Sequence, residues 1–172
     1  MAVIYKNFKT SFINFIPLLL LYYLSLSEID TEFSNMFSIL SFNLQIIIIY
    51  YWVLKDESII GNGHIFIVGI INDVVMGLPM GISAISYLAV AFVASYIRNV
   101  TVNFSLFTDW FTFILAIFFS NLTFFILVTN FTDLELIYTE LFYNSFFTFL
   151  FYPAFWLFFN IFRKIMVVRK DD

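Results

Sequence analysis

The chain has 172 residues, of which 62% are hydrophobic and only 12% are charged. A soluble domain typically has roughly 45–50% apolar and about 25% charged residues, so this chain lacks the polar surface for a water-soluble fold. The net charge of −4 disfavours a nucleic-acid partner, because phosphate binding needs clustered Lys and Arg. The absence of cysteine excludes disulfides and thiolate sites. The composition predicts an integral membrane protein.

Six apolar segments are long enough to cross a hydrocarbon core of about 30 Å, which needs about 20 residues per helix. They predict an all-α bundle of six transmembrane helices that forms a single membrane domain over residues 1–172. The predicted spans are about 8–26, 36–54, 61–77, 80–97, 108–128 and 141–162. Lys6 and Lys9 precede the first span as in a signal peptide, but no clear cleavage pattern follows, so we interpret it as an uncleaved span.

The distribution of positive charge predicts the orientation of these spans. With both termini in the cytoplasm, all eight basic residues fall on the cytoplasmic side, and the opposite loops at about 27–35, 78–79 and 129–140 contain none. The eight are Lys6, Lys9, Lys55, Arg98, Arg163, Lys164, Arg169 and Lys170. The positive-inside rule expects such a bias. In this topology Tyr22 lies near the outer interface, whereas His64 and Asp109 lie near the inner one.

The third and fourth spans are separated only by Leu78 and Pro79. Proline lacks a backbone donor and disfavours a helical residue before it, so one continuous helix is excluded here. Gly77 is suited to the position after a helix C-terminus and Pro79 to the first position of the next helix. This pair of helix-end residues predicts a tight helical hairpin.

Asp73 is the one carboxylate well inside a predicted span, where an ionised group is costly without a partner. Gly69, Asp73 and Gly77 recur at intervals of four, which places them on one helix face. Two roles stay open. Asp73 is a polar anchor inside the bundle or at a subunit contact, or a cap that accepts from the free amides of the fourth helix, and the two roles are compatible.

The fourth span is rich in small residues, which allow helices to pack closely in lipid. We expect it at the centre of the bundle, against the third span. Gly81-Ile82-Ser83-Ala84 faintly resembles an intramembrane serine-protease motif, but His64 is the only histidine and lies about 20 Å from Ser83 along the third span. A base must lie about 3 Å from its nucleophile. We therefore expect no enzyme, no catalytic residue, no metal and no cofactor.

The motifs around the second, third and fourth predicted spans together form a pattern that resembles a family signature. Tyr50-Tyr51-Trp52 ends the second span, and a Gly-x3-Asp-x3-Gly-x3-Gly run and a small-residue helix with a tyrosine follow it. The motif residues, either partner-binding or structural, are Gly69, Asp73, Gly77, Pro79, Gly81, Tyr87, Pro153 and Trp156. This pattern resembles the rod shape-determining protein MreD family, sharply over about residues 48–90 and by hydropathy elsewhere. Pro79 departs from the family pattern.

The resemblance implies a non-catalytic, multi-pass scaffold of the bacterial inner (cytoplasmic) membrane, in the elongasome that directs cell shape and peptidoglycan synthesis. Its implied partner is a bitopic MreC-type protein, and through it MreB filaments and peptidoglycan synthases. The family is also similar in architecture to the substrate-binding subunits of energy-coupling-factor transporters. A substrate-binding membrane subunit of a vitamin uptake transporter is therefore the alternative. Homo-oligomerisation, the partner surface and a bound small ligand or lipid stay open.

Overall fold

A computed structural model describes residues 15–27, 43–56, 59–101, 105–132 and 138–171, with side chains in the last range described as far as Lys164. All regular structure in these ranges is helical, and the all-α prediction is confirmed there. The helices are α1 (Ile16–Leu26), α2 (Leu44–Lys55), α3 (Asn62–Val75), α4 (Ile82–Val100), α5 (Leu106–Phe131) and α6 (Tyr138–Asp171).

Three of the described helices are long and apolar enough to cross a membrane: α4, α5 and the part of α6 that ends at Lys164. They indicate a membrane protein, as the composition predicts. Helices α1, α2 and α3 are also apolar but have 11, 12 and 14 residues. The N-terminal parts of the first two predicted spans, residues 8–14 and 36–42, lie outside the described residues. The six-span count stays a prediction.

Helix α4 lies at the centre of the described bundle, as its small residues predict. It packs against α2, α3 and α5, whereas α1 contacts α2 and α3, and α6 contacts α5 and α2. Ala84, Ala91 and Ala94 are buried where the neighbouring helices approach. By contrast, α5 and α6 carry many exposed large apolar side chains, which suits a lipid-facing surface.

Helix α2 is buried on every side. All side chains from Ile46 to Leu54 are buried, so this helix has no lipid-facing stripe. A helix that is apolar all round is typical of the core of a large protein or of a membrane span. Its aromatic residues pack against α5 and α6: the ring of Tyr50 lies 4.9 Å from that of Phe113, and the ring of Tyr51 lies 5.3 Å from that of Phe159. Helix α2 is therefore packed on all sides within the described bundle, beside the central α4.

One contact corrects the interface levels expected from the sequence. The hydroxyl of Tyr22 lies 3.2 Å from Nδ1 of His64, and the two rings meet edge to face. The sequence assigned these residues to opposite interfaces. They meet because α1 packs directly beside α3, so the two side chains do not lie at opposite ends of the described bundle.

Candidate functional site

The turn between α3 and α4 is built from the glycine motif. Gly77 has φ +65° and Gly81 has φ +110°, both in the left-handed region that favours glycine. The amide of Leu78 donates to the carbonyl of Asp73 at 2.8 Å, and the amide of Gly77 donates to that of Val74 at 3.4 Å. These two bonds form a Schellman motif, which ends α3 with Gly77 in the predicted position after the helix terminus.

Pro79 does not occupy the predicted position. The first residue of α4 is Ile82 and its N-cap is Gly81, so the assignment of Pro79 to the first helical position is wrong. The left-handed φ of Gly81 interrupts the helical path, and α4 can begin only after it. Pro79 instead begins a turn, in which its carbonyl accepts from the amide of Ile82 at 3.5 Å.

Asp73 caps α4 from the preceding helix. Its side chain is fully buried, and its two carboxylate oxygens accept from the amides of Gly81 at 2.7 Å and of Ser83 at 2.8 Å. The first amides of a helix have no partner within that helix, and the helix dipole favours a negative charge there. Of the two roles that the sequence left open for Asp73, the structure contains the cap.

Gly69 is the point of closest approach between α3 and α4. A Cβ atom on Gly69 would lie 2.2 Å from Cα of Ala84 and 2.5 Å from its backbone nitrogen. Only glycine therefore fits at the observed separation of the two helices. Gly69 and Asp73 are one turn apart on the same face of α3, so the motif joins the helices by direct packing and by the cap.

A chain of hydrogen bonds joins four helices beside this turn. The amide nitrogen of Gln45 donates to Ser25 at 3.2 Å and to the side-chain oxygen of Asn72 at 3.1 Å. Tyr87 donates its hydroxyl to the side-chain oxygen of Gln45, and Asn72 donates to Ser83 at 3.0 Å. Hydrogen bonds between transmembrane helices are worth about 0.6–2 kcal/mol each. Tyr87, named in the sequence only through the family resemblance, thus holds α4 to α2.

A cavity of about 560 Å³ lies next to this network, between α2, α3, α4, α5 and α6. Five side-chain amides contribute to its wall: Asn43, Gln45, Asn72, Asn121 and Asn144. Three serines, Tyr87 and Glu140 add to them, and the described residues that line the cavity include no Lys, Arg or His. Its volume is in the range of small-molecule sites, about 300–1,000 Å³.

A second buried polar cluster lies at the opposite ends of these helices. Nζ of Lys55 lies 2.6 Å from Oδ2 of Asp109, and the exposed fractions of the two side chains are 6% and 1%. The indole of Trp156 donates to the same oxygen at 2.7 Å. Arg98 donates to the carbonyl of Val53 at 3.0 Å nearby. Sequence reasoning missed this ion pair. The feature that could have indicated it is the position of Lys55 and Asp109, which lie at the ends of two predicted spans on the same side of the membrane.

Pro153 lies inside α6 and changes the hydrogen bonding of one carbonyl. Proline has no amide hydrogen to donate to the residue four positions earlier, which is Phe149. The indole of Trp110 donates to the carbonyl of Phe149 at 2.9 Å and takes the place of that missing bond. Pro153 and Trp156 thus both support contacts between α6 and α5. Pro153 leaves the carbonyl of Phe149 free to accept from Trp110 of α5, and Trp156 donates to Asp109 of α5.

The described residues contain no group of three or more His, Asp or Glu side chains that could hold a metal ion. Comparisons of the chain with family models, curated proteins and solved structures give no match. The resemblance to the MreD family stays a prediction that rests on the motif residues.

Proposed function

We propose that the chain is a non-catalytic, six-span scaffold of the bacterial inner membrane that binds an MreC-type bitopic partner in the cell-elongation machinery. The observation that carries the proposal is the run from Gly69 to Gly81. Its glycines and its aspartate match the family pattern, and each has a separate geometric reason for its identity: close packing, capping or a left-handed turn.

The proposed topology is supported by the way charges group within the described bundle. Lys55 pairs with Asp109 and Arg98 donates close to Lys55, so two cations from different predicted loops lie at one end. Asp73 and the α3–α4 turn lie at the other ends of the same helices. Because basic residues favour the cytoplasmic side, we orient the Lys55 end inward and the turn outward, with both termini inside.

The role of Asp73 as a helix cap favours a scaffold over an enzyme. Both carboxylate oxygens are engaged by backbone amides, and the side chain is fully buried. A general acid or base needs an atom within reach of a substrate proton. The motif residues therefore stabilise the hairpin rather than present a reactive group, and the hairpin would hold the outer ends of the helices in shape for a partner.

The test is a mild-detergent pull-down of the tagged full chain, followed by mass spectrometry, with depletion of the chain in growing cells. We expect an MreC-type protein and peptidoglycan synthases in the eluate, and rounded cells after depletion. Asp73→Ala should reduce partner recovery. Unchanged partner capture and cell shape with Asp73→Ala would show that the motif argument is wrong.

The cavity of about 560 Å³ favours one second candidate, a substrate-binding subunit of a vitamin uptake transporter. Such a subunit needs an outward cavity that complements a solute. The same pull-down distinguishes the two, because the transporter subunit would be recovered with its coupling subunit and ATPases instead of cell-wall proteins.

A further inference from the structure

The polar cavity has a hydrogen-bonding group that the protein does not use. Ser86 of α4 lines the cavity, its side chain is only 3% exposed, and its Oγ has no hydrogen-bond partner among the described residues. Leaving a buried hydroxyl unsatisfied costs free energy, and native structures contain few such groups. An unpaired hydroxyl at the wall of a cavity is therefore positioned for a ligand.

The remaining wall selects the chemistry of that ligand. Asn121 offers an amide that both donates and accepts, and Ser120 offers a further hydroxyl. Among the described residues that line the cavity, Glu140 is the only charged one, and none of them is a cation. An anionic headgroup would lose its hydration without gaining a counter-charge. A neutral group with several hydroxyls matches the donors and acceptors present.

An apolar groove adjoins the cavity between α5 and α6. It has a volume of about 690 Å³ and shares Asn121 and Leu141 with the cavity wall. Away from these residues its lining is almost entirely Ile, Leu and aromatic side chains. At the boundary, Asn121 donates to Ser145 at 2.6 Å. A polar cavity and an apolar groove with a common wall are complementary to a molecule that is polar at one end and apolar at the other.

We infer that the chain binds a membrane amphiphile, with a neutral, hydroxyl-bearing headgroup in the cavity and a hydrocarbon chain in the α5–α6 groove. The ligand reaches the cavity from the bilayer, since α5 and α6 are membrane-length helices with exposed apolar surfaces. Ser86 donates to or accepts from a headgroup hydroxyl, and the side-chain amide of Asn121 binds another.

The binding experiment uses the full chain in phosphatidylcholine nanodiscs doped with one probe at a time, with retention measured by native mass spectrometry. The probes are glucosyl-dioleoylglycerol, dioleoylglycerol, dioleoyl-phosphatidylglycerol and water-soluble methyl glucoside. We expect the glucolipid to be retained at least tenfold more than each of the others. Equal retention of the phosphatidylglycerol would overturn the neutral headgroup, and equal binding of methyl glucoside would overturn the hydrocarbon chain. Retention of no probe would overturn the site.

The decisive variant is Ser86→Ala, with Ser95→Ala as its control on the same helix outside the cavity lining. Loss of one neutral hydrogen bond should weaken glucolipid binding about three- to tenfold. The thermal stability of the ligand-free protein should not fall, because the hydroxyl that is removed has no partner within the described protein. Ser86→Met should weaken glucolipid binding further, because a larger apolar side chain then replaces the hydroxyl at the cavity wall. Unchanged glucolipid binding in both Ser86 variants would contradict the assignment.

Discussion

Gly69 and Gly77 are glycines for different physical reasons. At Gly69 the constraint is space, because a methyl group would overlap the backbone of Ala84. At Gly77 nothing lies within 4 Å of the position of a Cβ atom, and the constraint is its φ of +65°. A substitution at either site therefore disturbs the same hairpin by a different route.

The spatial constraint at Gly69 has a matched control on the same helix. Gly69→Ala should lower the free energy of unfolding by about 1–3 kcal/mol, because α3 and α4 must move apart to admit the methyl group. Gly63→Ala should leave stability unchanged or slightly raised, since no atom lies within 4 Å of its Cβ position. Thermal unfolding of both variants in mild detergent measures the difference. Equal melting temperatures would show that the helices are not in contact at Gly69.

The capping carboxylate of Asp73 gives a second prediction. Asp73→Asn keeps the shape but replaces one accepting oxygen with an NH2 group that faces a backbone amide, so we expect a loss of about 1–2 kcal/mol. Asp73→Ala should cost more, because both amides lose their acceptor. Hydrogen exchange at Gly81 and Ser83 should accelerate in both variants. Exchange that stays slow would mean that another group satisfies these amides.

Local features of the hairpin were predictable from the sequence because their causes are local. The terminating role of Gly77 depends on Asp73 and Val74 within about one helical turn, and the capping role of Asp73 depends on Gly81 and Ser83, 8 and 10 positions along the chain. The role of Pro79 was predicted wrongly because the sequence does not disclose the left-handed backbone of Gly81, which delays the start of α4.

At the scale of helices, neighbouring helices supply partners for the polar groups of Gln45, Tyr50 and Lys55 in α2. Asn43 accepts from the amide of Ile46 to begin the helix, Gln45 bonds to three other helices, and Lys55 ends it against Asp109. The pairing of Lys55 with α5 could not be predicted from sequence, because it depends on which helices become neighbours. The cavity escaped prediction for the same reason: its wall takes residues from five helices.

The ion pair between α2 and α5 predicts a non-additive mutational pattern. Lys55→Met should destabilise the protein by about 3–5 kcal/mol, because Asp109 is left buried without its counter-charge. The double variant Lys55→Met/Asp109→Asn should be more stable than Lys55→Met alone, since the amide removes that charge and its oxygen still accepts from Trp156. Thermal unfolding of Lys55→Met, Asp109→Asn and the double variant measures the coupling energy in a double-mutant cycle. Additive losses would mean that the two charges do not interact.

Over the whole molecule, the distribution of basic residues along the sequence predicts one orientation. If the chain has the six proposed spans, reporter fusions at each end should place both termini in the cytoplasm. Fusions within 129–140 should be periplasmic. A periplasmic C-terminus would be incompatible with six spans. The natural absence of cysteine makes single-cysteine labelling of each loop an independent check without background reaction.

The complete burial of α2 has a consequence for assembly during synthesis. The α3–α4 hairpin contains its own Schellman motif, cap and close contact, so it has the local interactions to form as soon as both helices are in the membrane. Helix α2 precedes this hairpin in the chain, yet its aromatic face packs on α5 and α6, which are made last. The order of packing therefore differs from the order of translation. The aromatic side chains of α2 lack their packing partners until α5 and α6 have been synthesised. A chaperone or insertase that shields Tyr50, Tyr51 and Trp52 in that interval would act on this helix first.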